Sequence, residues 1–420
     1  MTLQVFAPDT QVTGFSPATR QLLRRAALFV GFLLSGGMLN LNRGALLAVL
    51  IVLVFLLRSP FNLVRRELAG VWIVLAAVFA VALIGGGNFN FNANAVRLAN
   101  FIAGALLLML YMDEARDQLA ADAYPIVKLF AFQSILTVVV ATIAPGLFSI
   151  LPVNDTDYRT ILMVLTFHVT LDDASRLVRP DGFFWEPGVL QIYLNLYLFL
   201  SLFVFRKMRD AAIAAVSVLL TQSTSGVLGA GVLIGWAYWQ HLRVASRNQK
   251  ILAAILAPVL LIPVSTAVYL NVQEKLTGDY RGSAFARQYD AVTGFRIALA
   301  HPLTGIGFDY DRYYQEAESF GYREVELDED TLTDRGNSNS FSATFAALGF
   351  PVGFLFFFGL LRQRFFVNRW PFAALMVISL ISEALLLTPF FLMFVFSSFL
   401  LPATSVSRRS GRTRTSPDQR

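Results

Sequence analysis

The amino-acid sequence predicts an all-α fold, a polytopic bundle of membrane-spanning helices. The chain is 56% hydrophobic and only 15% charged, whereas about a quarter of the residues in a soluble domain are charged. Its apolar runs repeatedly approach or reach the roughly 17–25 residues that a helix needs to cross a bilayer. Its basic residues cluster in the short segments between those runs, as positive-inside topology requires.

Twelve apolar segments are predicted as membrane spans, and the whole chain, 1–420, as one membrane domain. The segments are 24–41, 44–58, 67–86, 95–112, 125–146, 188–205, 211–222, 226–241, 251–270, 339–361, 370–387 and 389–402. Residues 211–240 would also fit one long helix, but basic segments flank them on both sides, so a hairpin fits better. The first segment has no small-residue cleavage site and is interpreted as a retained span.

The distribution of lysine and arginine predicts the orientation of the chain. Of the 34 Lys and Arg residues, 22 lie in segments that should share one side of the membrane, including the basic tail 403–420. The positive-inside rule places these segments and both termini in the cytoplasm. Long loops, 147–187 and 271–338, fall on the other side, where structured loops usually carry function. The chain has no cysteine, which excludes disulfides and thiolate metal sites.

A charged lip, "RPDGFFWEPG", precedes the sixth predicted span. Glu186 would stand at the positive end of that helix, a favourable place for a carboxylate in itself. A second interpretation adds Arg176 and Arg179, because the arginine fork donates two parallel hydrogen bonds to phosphate. Together with Trp185 as an aromatic surface, these residues predict a place for a sugar diphosphate. Both interpretations stay open at this point.

The second long loop contains a predicted helix from 284 to 300, along which Arg287 lies. The segment "HPLTGIG" ends this helix, because proline and glycine force a turn. His301 beside that turn is either a capping residue or a catalytic one. The acidic pairs "DYD" and "DED" resemble metal ligands only weakly, and no metal site is predicted.

Polar residues also stand at the ends of two later spans. Ser338 and Asn339 lie at the entry of the span 339–361, where helix capping is the alternative to a binding role. Glu383 is predicted to lie inside the membrane, since the chain must turn near Thr388–Pro389. An ionisable residue at that depth is a functional candidate, or a structural partner of an arginine from a neighbouring span.

Several motifs occur in an order that resembles the bacterial O-antigen ligase and Wzy-type polysaccharide polymerase superfamily. They are "GFFWEPGVLQIYLNL", the hairpin "LLTQSTSGVLGAGVLIG", an arginine fourteen residues before "HPLTGIG", and "NSNSFSATFAALGFPVG". The resemblance extends from about residue 90 to 400. It implies a GT-C-like helical bundle in the bacterial inner membrane, with a helical periplasmic loop as a lid.

The resemblance also implies a reaction. A glycan on undecaprenyl diphosphate is transferred to a hydroxyl of an acceptor, without a nucleotide sugar, a metal or another cofactor. The acceptor is another lipid-linked repeat unit in polymerases and the lipid A core in ligases. The implied partners are the undecaprenyl-diphosphate-linked oligosaccharide, membrane lipid and a chain-length regulator protein. No nucleic-acid partner is expected.

The matching residues distinguish the two branches of the superfamily. Ligases typically carry His-Asn where the last outer loop enters its span, and Ser-Arg in the hairpin turn. This chain has Ser338–Asn339 and Ser223–Thr224 at those places. The arginine before the Pro-Leu-x-Gly turn is kept as Arg287. These departures favour a polymerase, and they leave Thr224, Ser338 and Asn339 as candidate contacts of the diphosphate or the sugar.

The same comparison implies roles for the charged residues. Without the ligase histidine, Glu186 is the first candidate for the base that accepts the hydroxyl proton, and His301 is the second. The departing diphosphate needs fixed positive donors, for which Arg287 comes first, Arg179 second and Arg281 third. A transporter of the same lipid-linked sugar is the rival class, but its polar residues should be spread along the spans rather than concentrated at the outer rim.

Overall fold

The computed structural model confirms that the chain is a helical membrane protein. It describes the chain in six stretches and three single residues, which are 14–85, 91–153, 156–168, 178–251, 281–320 and 337–402, with Thr266, Tyr269 and Gln273. Apart from single residues, the predicted span 251–270 lies outside the described part, as does the tail 403–420.

The helices of the described residues carry the labels α1 to α13 in chain order. In the first half of the chain they are α1 (Pro17–Leu34), α2 (Arg43–Leu57), α3 (Ala69–Gly85), α4 (Phe91–Tyr111) and α5 (Gln118–Ile143). In the second half they are α6 (Pro187–Phe199), α7 (Met208–Leu220), α8 (Thr224–Val244), α9 (Arg281–Ala300), α10 (Tyr310–Ser319), α11 (Ser340–Leu361), α12 (Arg369–Ser382) and α13 (Pro389–Ser397). Helix α6 continues as one π-helical turn, Leu200–Val204.

Five helical segments of the described chain are long and apolar enough to cross a membrane. They are Arg66–Gly85, Asn94–Tyr111, Gln118–Ile143, Pro187–Val204 and Ser340–Leu361. A helix lies in each predicted span that the structure describes, and the loop 271–338 contributes α9 and α10. The total of twelve spans, the GT-C-like arrangement, the single domain and the lid stay predictions.

Helix α1 begins and ends earlier than the apolar pattern predicts. Its first turn is capped by Ser16, whose Oγ accepts a hydrogen bond from the backbone N–H of Thr19, and Pro17 occupies the first helical position. The chain leaves the helix at Gly36, whose φ of +153° favours glycine. A Cβ there would collide with Val189 of α6. Residues 35–41, predicted as span, therefore form the connection to α2.

Helix α6 is the centre of the bundle, because every residue from Pro187 to Phe199 is buried. Its Tyr193 ring stacks on Phe184, with ring centroids 4.5 Å apart. Phe32, Phe130 and Phe390 pack around the same ring. Such aromatic contacts add to the stability gained by burial alone, so the lip before α6 is anchored in the core.

The loop 147–187 contains a small antiparallel sheet that the sequence did not predict. Its strands β1 (Ser149–Val153), β2 (Thr156–Ile161) and β3 (Leu165–His168) pair in the order β1-β2-β3. A bridge between Phe167 and Pro180 joins β3 to the lip, and a second bridge joins Gly37 to Phe184. The segment that precedes α6 is therefore joined both to the sheet and to the α1–α2 turn.

Ion pairs hold several basic segments together on one side of the bundle. The buried Asp122 accepts a hydrogen bond of 2.5 Å from Nε of Arg24. Arg58 pairs with Asp113 and Glu114. These contacts join the segments "RQLLRR", "RSPFNLVRR" and "DEARDQLAAD", as the predicted topology requires.

The later basic segments lie on the same side. Asn368 Nδ2 donates to the carbonyl of Phe203, near "RKMRD". Arg364 donates to the carbonyl of Leu400 at 2.6 Å, and the N–H of Leu401 donates to the carbonyl of Glu67. The geometry thus groups these basic segments on one face. That this face is cytoplasmic stays a prediction from the positive-inside rule.

Candidate functional site

The carboxylate of Glu186 lies beside the first turn of α6 but does not cap that helix. Glu186 is the N-cap residue, yet its side chain makes no capping hydrogen bond. The indole N–H of Trp185 donates to Glu186 Oε1 at 3.2 Å. The backbone N–H of Trp185 donates to Gly36, and its carbonyl accepts from the Tyr158 hydroxyl at 2.7 Å. The lip is therefore braced by the α1–α2 turn and by strand β2.

Tyr158, which contacts the lip, is buried and has two carboxylates nearby. Burial, and then the nearby carboxylates of Asp181 and Glu186, raise the pKa of the Tyr158 hydroxyl. The hydroxyl donates its hydrogen bond to the carbonyl of Trp185. It holds the backbone beside Glu186 without adding a charge.

A second carboxylate comes from the break between α12 and α13. Glu383 follows the last residue of α12 and is only 4% exposed. Helix α12 has 14 residues, about 21 Å of helix, which is shorter than the roughly 30 Å hydrocarbon core. The chain thus breaks before a straight path would reach the far surface, and broken backbone at that depth needs protein partners.

Ser340, the first residue of α11, provides those partners. Its hydroxyl donates to the carbonyl of Glu383 at 2.5 Å and accepts from the N–H groups of Leu385 and Leu386 at 2.8 and 3.1 Å. On the other side of the break, the N–H of Phe390 donates to Ser35 Oγ at 2.8 Å. Hydrogen bonds on both sides therefore hold the break that carries Glu383 in a defined conformation.

Arg287, Glu383 and Glu186 meet at this point. Nη2 of Arg287 on α9 lies 3.9 Å from Oε1 of Glu383. The carboxyl groups of Glu186 and Glu383 both border Gly188, where a Cβ would collide with Glu383 Oε1 and lie 3.5 Å from Glu186 Cδ. The Arg287 side chain is 35% exposed and that of Glu383 is 5% exposed. The Arg287 side chain is thus partly accessible to solvent, whereas the side chain of its acidic neighbour Glu383 is buried.

Asp290 fixes Arg287 by joining α9 to α11. The carboxylate of Asp290, one turn after Arg287, accepts from the N–H of Ser338 at 2.9 Å and from its hydroxyl at 2.5 Å. The Ser342 hydroxyl donates to the Asp290 carbonyl at 3.1 Å. Sequence reasoning missed Asp290, although an acid three residues after the key arginine lies on the same helix face.

The predicted site residue Asn339 serves as a helix cap. Its Oδ1 accepts from the N–H groups of Phe341 and Ser342 at 2.9 and 3.1 Å. Together with the bonds of Ser338 to Asp290, this is the capping alternative that the sequence left open. A contact of either residue with substrate stays a prediction.

Arg179 and Thr224 both lie at the turn between α7 and α8. Nε of Arg179 donates to the carbonyl of Thr221 at 3.2 Å. Ser223 caps α8 by accepting from the N–H of Gly226, and Thr224 is the half-buried first residue of that helix. This turn packs on α6, because a Cβ at Gly226 would meet the side chain of Gln191. Arg179 is therefore fixed to the helix pair beside the lip.

His301 lies at the opposite end of α9 from Arg287. Its Nε2 is 3.1 Å from Glu316 Oε1 on α10. Fourteen residues separate it from Arg287, about 21 Å along a helix, so the structure does not bring it to the carboxylate pair. Asp309 caps α10 by accepting from the N–H of Asp311.

Two predicted arginines are not tested by this geometry. Arg176 lies outside the described residues, and Arg281 begins α9 without a described side chain. Within the described part of the chain, no three His, Asp or Glu side chains form a group that would suit a metal ion.

A comparison with known families adds an independent finding. Residues 211–357 match the family described as O-antigen ligase. No curated protein and no solved structure matches the chain. The match covers residues 211–357 alone, and over that segment it confirms the predicted resemblance to the O-antigen ligase/polymerase superfamily.

Proposed function

We propose that this member of the superfamily polymerises undecaprenyl-diphosphate-linked oligosaccharide repeat units. The product would be O-antigen or exopolysaccharide, formed at the periplasmic face of the bacterial inner membrane, with both termini in the cytoplasm. The observation that carries the proposal is the meeting of Arg287, Glu383 and Glu186 on the face away from the basic segments. An arginine side chain that is partly exposed beside the buried Glu383 and the half-buried Glu186 suits a diphosphate that arrives from the membrane surface.

In the proposed reaction the acceptor hydroxyl attacks the anomeric carbon of the donor sugar. The new bond forms between the acceptor oxygen and that carbon, while the bond from the carbon to the phosphate oxygen breaks. The electron pair of the broken bond leaves with undecaprenyl diphosphate, and the hydroxyl proton goes to the carboxylate of Glu186. Arg287 meets the charge that develops on the diphosphate, and Arg179 is the second donor.

The surroundings of the site support the placement of a lipid-linked substrate. Trp185 borders Glu186 and offers an aromatic surface to a sugar ring. Helix α6 runs from this lip into the core of the bundle. We propose that the sugar and the diphosphate lie at the lip while the polyprenyl chain stays in the bilayer. A chain-length regulator would be a further partner.

A ligase is the second candidate, because the matching family is described as O-antigen ligase. In a ligase the same donor chemistry would transfer a finished glycan to the lipid A core. The branch is tested by deleting the gene and analysing the surface glycan. A polymerase predicts single-unit glycan on the surface, restored to long chains by the wild-type gene. Lipid-linked polymer without transfer to lipid A would show a ligase instead.

A further inference from the structure

A column of polar atoms extends from Glu383 into the bundle between α6, α8 and α12. Four buried atoms in it lack a hydrogen-bond partner among the described residues, namely Glu383 Oε1, Ser379 Oγ, Gln191 Nε2 and Asn195 Oδ1. All four residues are at most 4% exposed. Polar groups buried in this way are normally satisfied by protein or by ordered water.

Helix register places these atoms in one line. Helices α6 and α12 both border α8, where a Cβ at Gly229 would lie 3.2 Å from Asn195 Nδ2 and 3.4 Å from Leu375 Cδ1. Asn195 of α6 and Leu375 of α12 are therefore level with each other. Four residues later on α12 comes Ser379.

The upper end of the column is fixed by Gly188 of α6, which borders Glu383 Oε1. Ser379 lies one helical turn before Glu383, and Gln191 lies about one turn from both Gly188 and Asn195, so their side chains share the facing sides. The amide of Asn195 donates to Gln191 Oε1 and to the carbonyl of Gly226, each at 2.9 Å. These bonds leave the donor of Gln191 and the acceptor of Asn195 facing the column.

The contact of Glu383 with Arg287 points to the same conclusion. At 3.9 Å the two atoms are close enough for an ion pair but too far apart for a direct hydrogen bond. A polar separation beyond about 3.5 Å is the range in which a bridging water fits. A buried water typically makes about three hydrogen bonds, which the column and the carboxylate together supply.

We propose that Glu383 is a positioning residue with two partners, Arg287 and a file of ordered water held by Gln191, Ser379 and Asn195. This inference rests on the proposed function in one respect, the attraction of Arg287 to the diphosphate of the substrate. When the diphosphate attracts Arg287, a buried carboxylate would be left without its cation, which is strongly unfavourable. The water file then hydrogen-bonds Glu383 and keeps the α12–α13 break in place while Arg287 turns to the substrate.

The direct test is a cryo-electron microscopy map of the full chain in lipid nanodiscs without substrate, at a resolution that shows ordered water. The proposal predicts density within hydrogen-bonding distance of Gln191 Nε2 and Glu383 Oε1. A column without such density, in a map that shows water elsewhere in the protein, would overturn it.

One apolar replacement, Ser379→Ala, tests the same point in purified protein, because it removes no other hydrogen bond of the column side chains, whereas a change of Gln191 would also remove the acceptor of Asn195. If the column holds water, Ser379→Ala removes a satisfied hydrogen bond and lowers the melting temperature by roughly 2 °C. If the column is dry, removal of an unpartnered polar atom raises it, which would contradict the proposal. Ser134→Ala is the matched control, because the buried Ser134 hydroxyl is satisfied by its own helix.

Polymerisation kinetics separate this proposal from the proposed function. Ser379→Ala should lower kcat roughly tenfold with little change in KM, because the water file matters most once Arg287 has moved to the diphosphate. An unchanged kcat would overturn the positioning role. A wild-type protein that shows the water density but makes no polymer would overturn the proposed function and leave the water site standing.

Discussion

The guanidinium of Arg287 lies 3.9 Å from the carboxylate of Glu383, although the two residues belong to different parts of the bundle. Arg287 stands on α9, inside the segment that matches the O-antigen ligase family, whereas Glu383 follows α12, outside that segment. Glu186 completes the group from the N-terminal side of the match. The candidate site is thus assembled by the bundle as a whole.

Replacement of Arg287 should abolish polymerisation. Arg287→Ala removes the charge that meets the departing diphosphate, and we expect a rate loss of about 100-fold or more. Arg287→Lys keeps the charge but loses the fork, so partial activity is expected. Long-chain polysaccharide from complemented deletion cells is measured on gels, with membrane protein abundance measured in parallel.

Arg296→Ala is the matched control for this experiment, because Arg296 lies exposed on the same helix. It should leave chain length unchanged. Normal long chains made by Arg287→Ala would remove Arg287 from the site.

Replacement of Glu186 distinguishes a base from a helix-terminal charge. Glu186→Gln keeps the size of the side chain and an acceptor for Trp185 but cannot accept the hydroxyl proton. We expect polymerisation to fall by about 100-fold or more, with a change of at most about 1 kcal/mol in stability. Reduced protein abundance with normal activity per molecule would instead support the helix-terminal role.

Ser340 is expected to stabilise the break that carries Glu383. Ser340→Ala would leave buried backbone groups of residues 383–386 with fewer partners, at a cost of about 1–3 kcal/mol. Thermal unfolding in detergent should show a lower melting temperature than the exposed control, Ser319→Ala. Equal melting temperatures would mean that the break does not depend on this hydroxyl.

The ion pair of Arg24 with Asp122 should stabilise the fold more than the neighbouring, more exposed ion pairs do. Asp122→Asn leaves the mostly buried Arg24 without its closest counter-charge, and we expect a loss of about 3–5 kcal/mol. Asp113→Asn in the same network removes a more exposed partner and should cost less than about 1 kcal/mol. Comparable losses for the two variants would contradict the assignment.

The natural absence of cysteine allows a direct test of orientation. Single cysteines at the exposed positions Ser246 and Ser319 lie after α8 and at the end of α10. In cells with a permeabilised outer membrane, a membrane-impermeant maleimide should label Ser319→Cys only. The reverse pattern would place the basic segments outside.

The sequence predicts the helices well because apolar runs of bilayer length have few other stable structures. Their ends are less predictable. Ser16 and Pro17 start α1 within a polar segment, and Gly36 ends it within an apolar one. The sheet in 147–187 was missed because its strands are only four to six residues long, and their pairing depends on contacts with the lip and the α1–α2 turn.

The sequence indicated which residues belong to the candidate site, but it did not indicate which of them contact one another. Arg287 and Glu186 followed from the motifs and the outer charge pattern, and Glu383 from its ionisable side chain between two apolar segments. That these three meet depends on how α6, α9 and α12 pack, which no local pattern encodes. Asp290 and Ser340 act through hydrogen bonds to segments distant in the sequence, so their roles needed the structure.

The most direct test of the central claim is reconstitution of the purified chain with purified undecaprenyl-diphosphate-linked repeat units in proteoliposomes containing a metal chelator. We predict a ladder of polymer lengths from the wild-type protein and from Arg296→Ala, and single units only from Arg287→Ala. A wild-type protein that makes no ladder in the presence of chelator, or an Arg287→Ala variant that makes a normal one, would contradict the account.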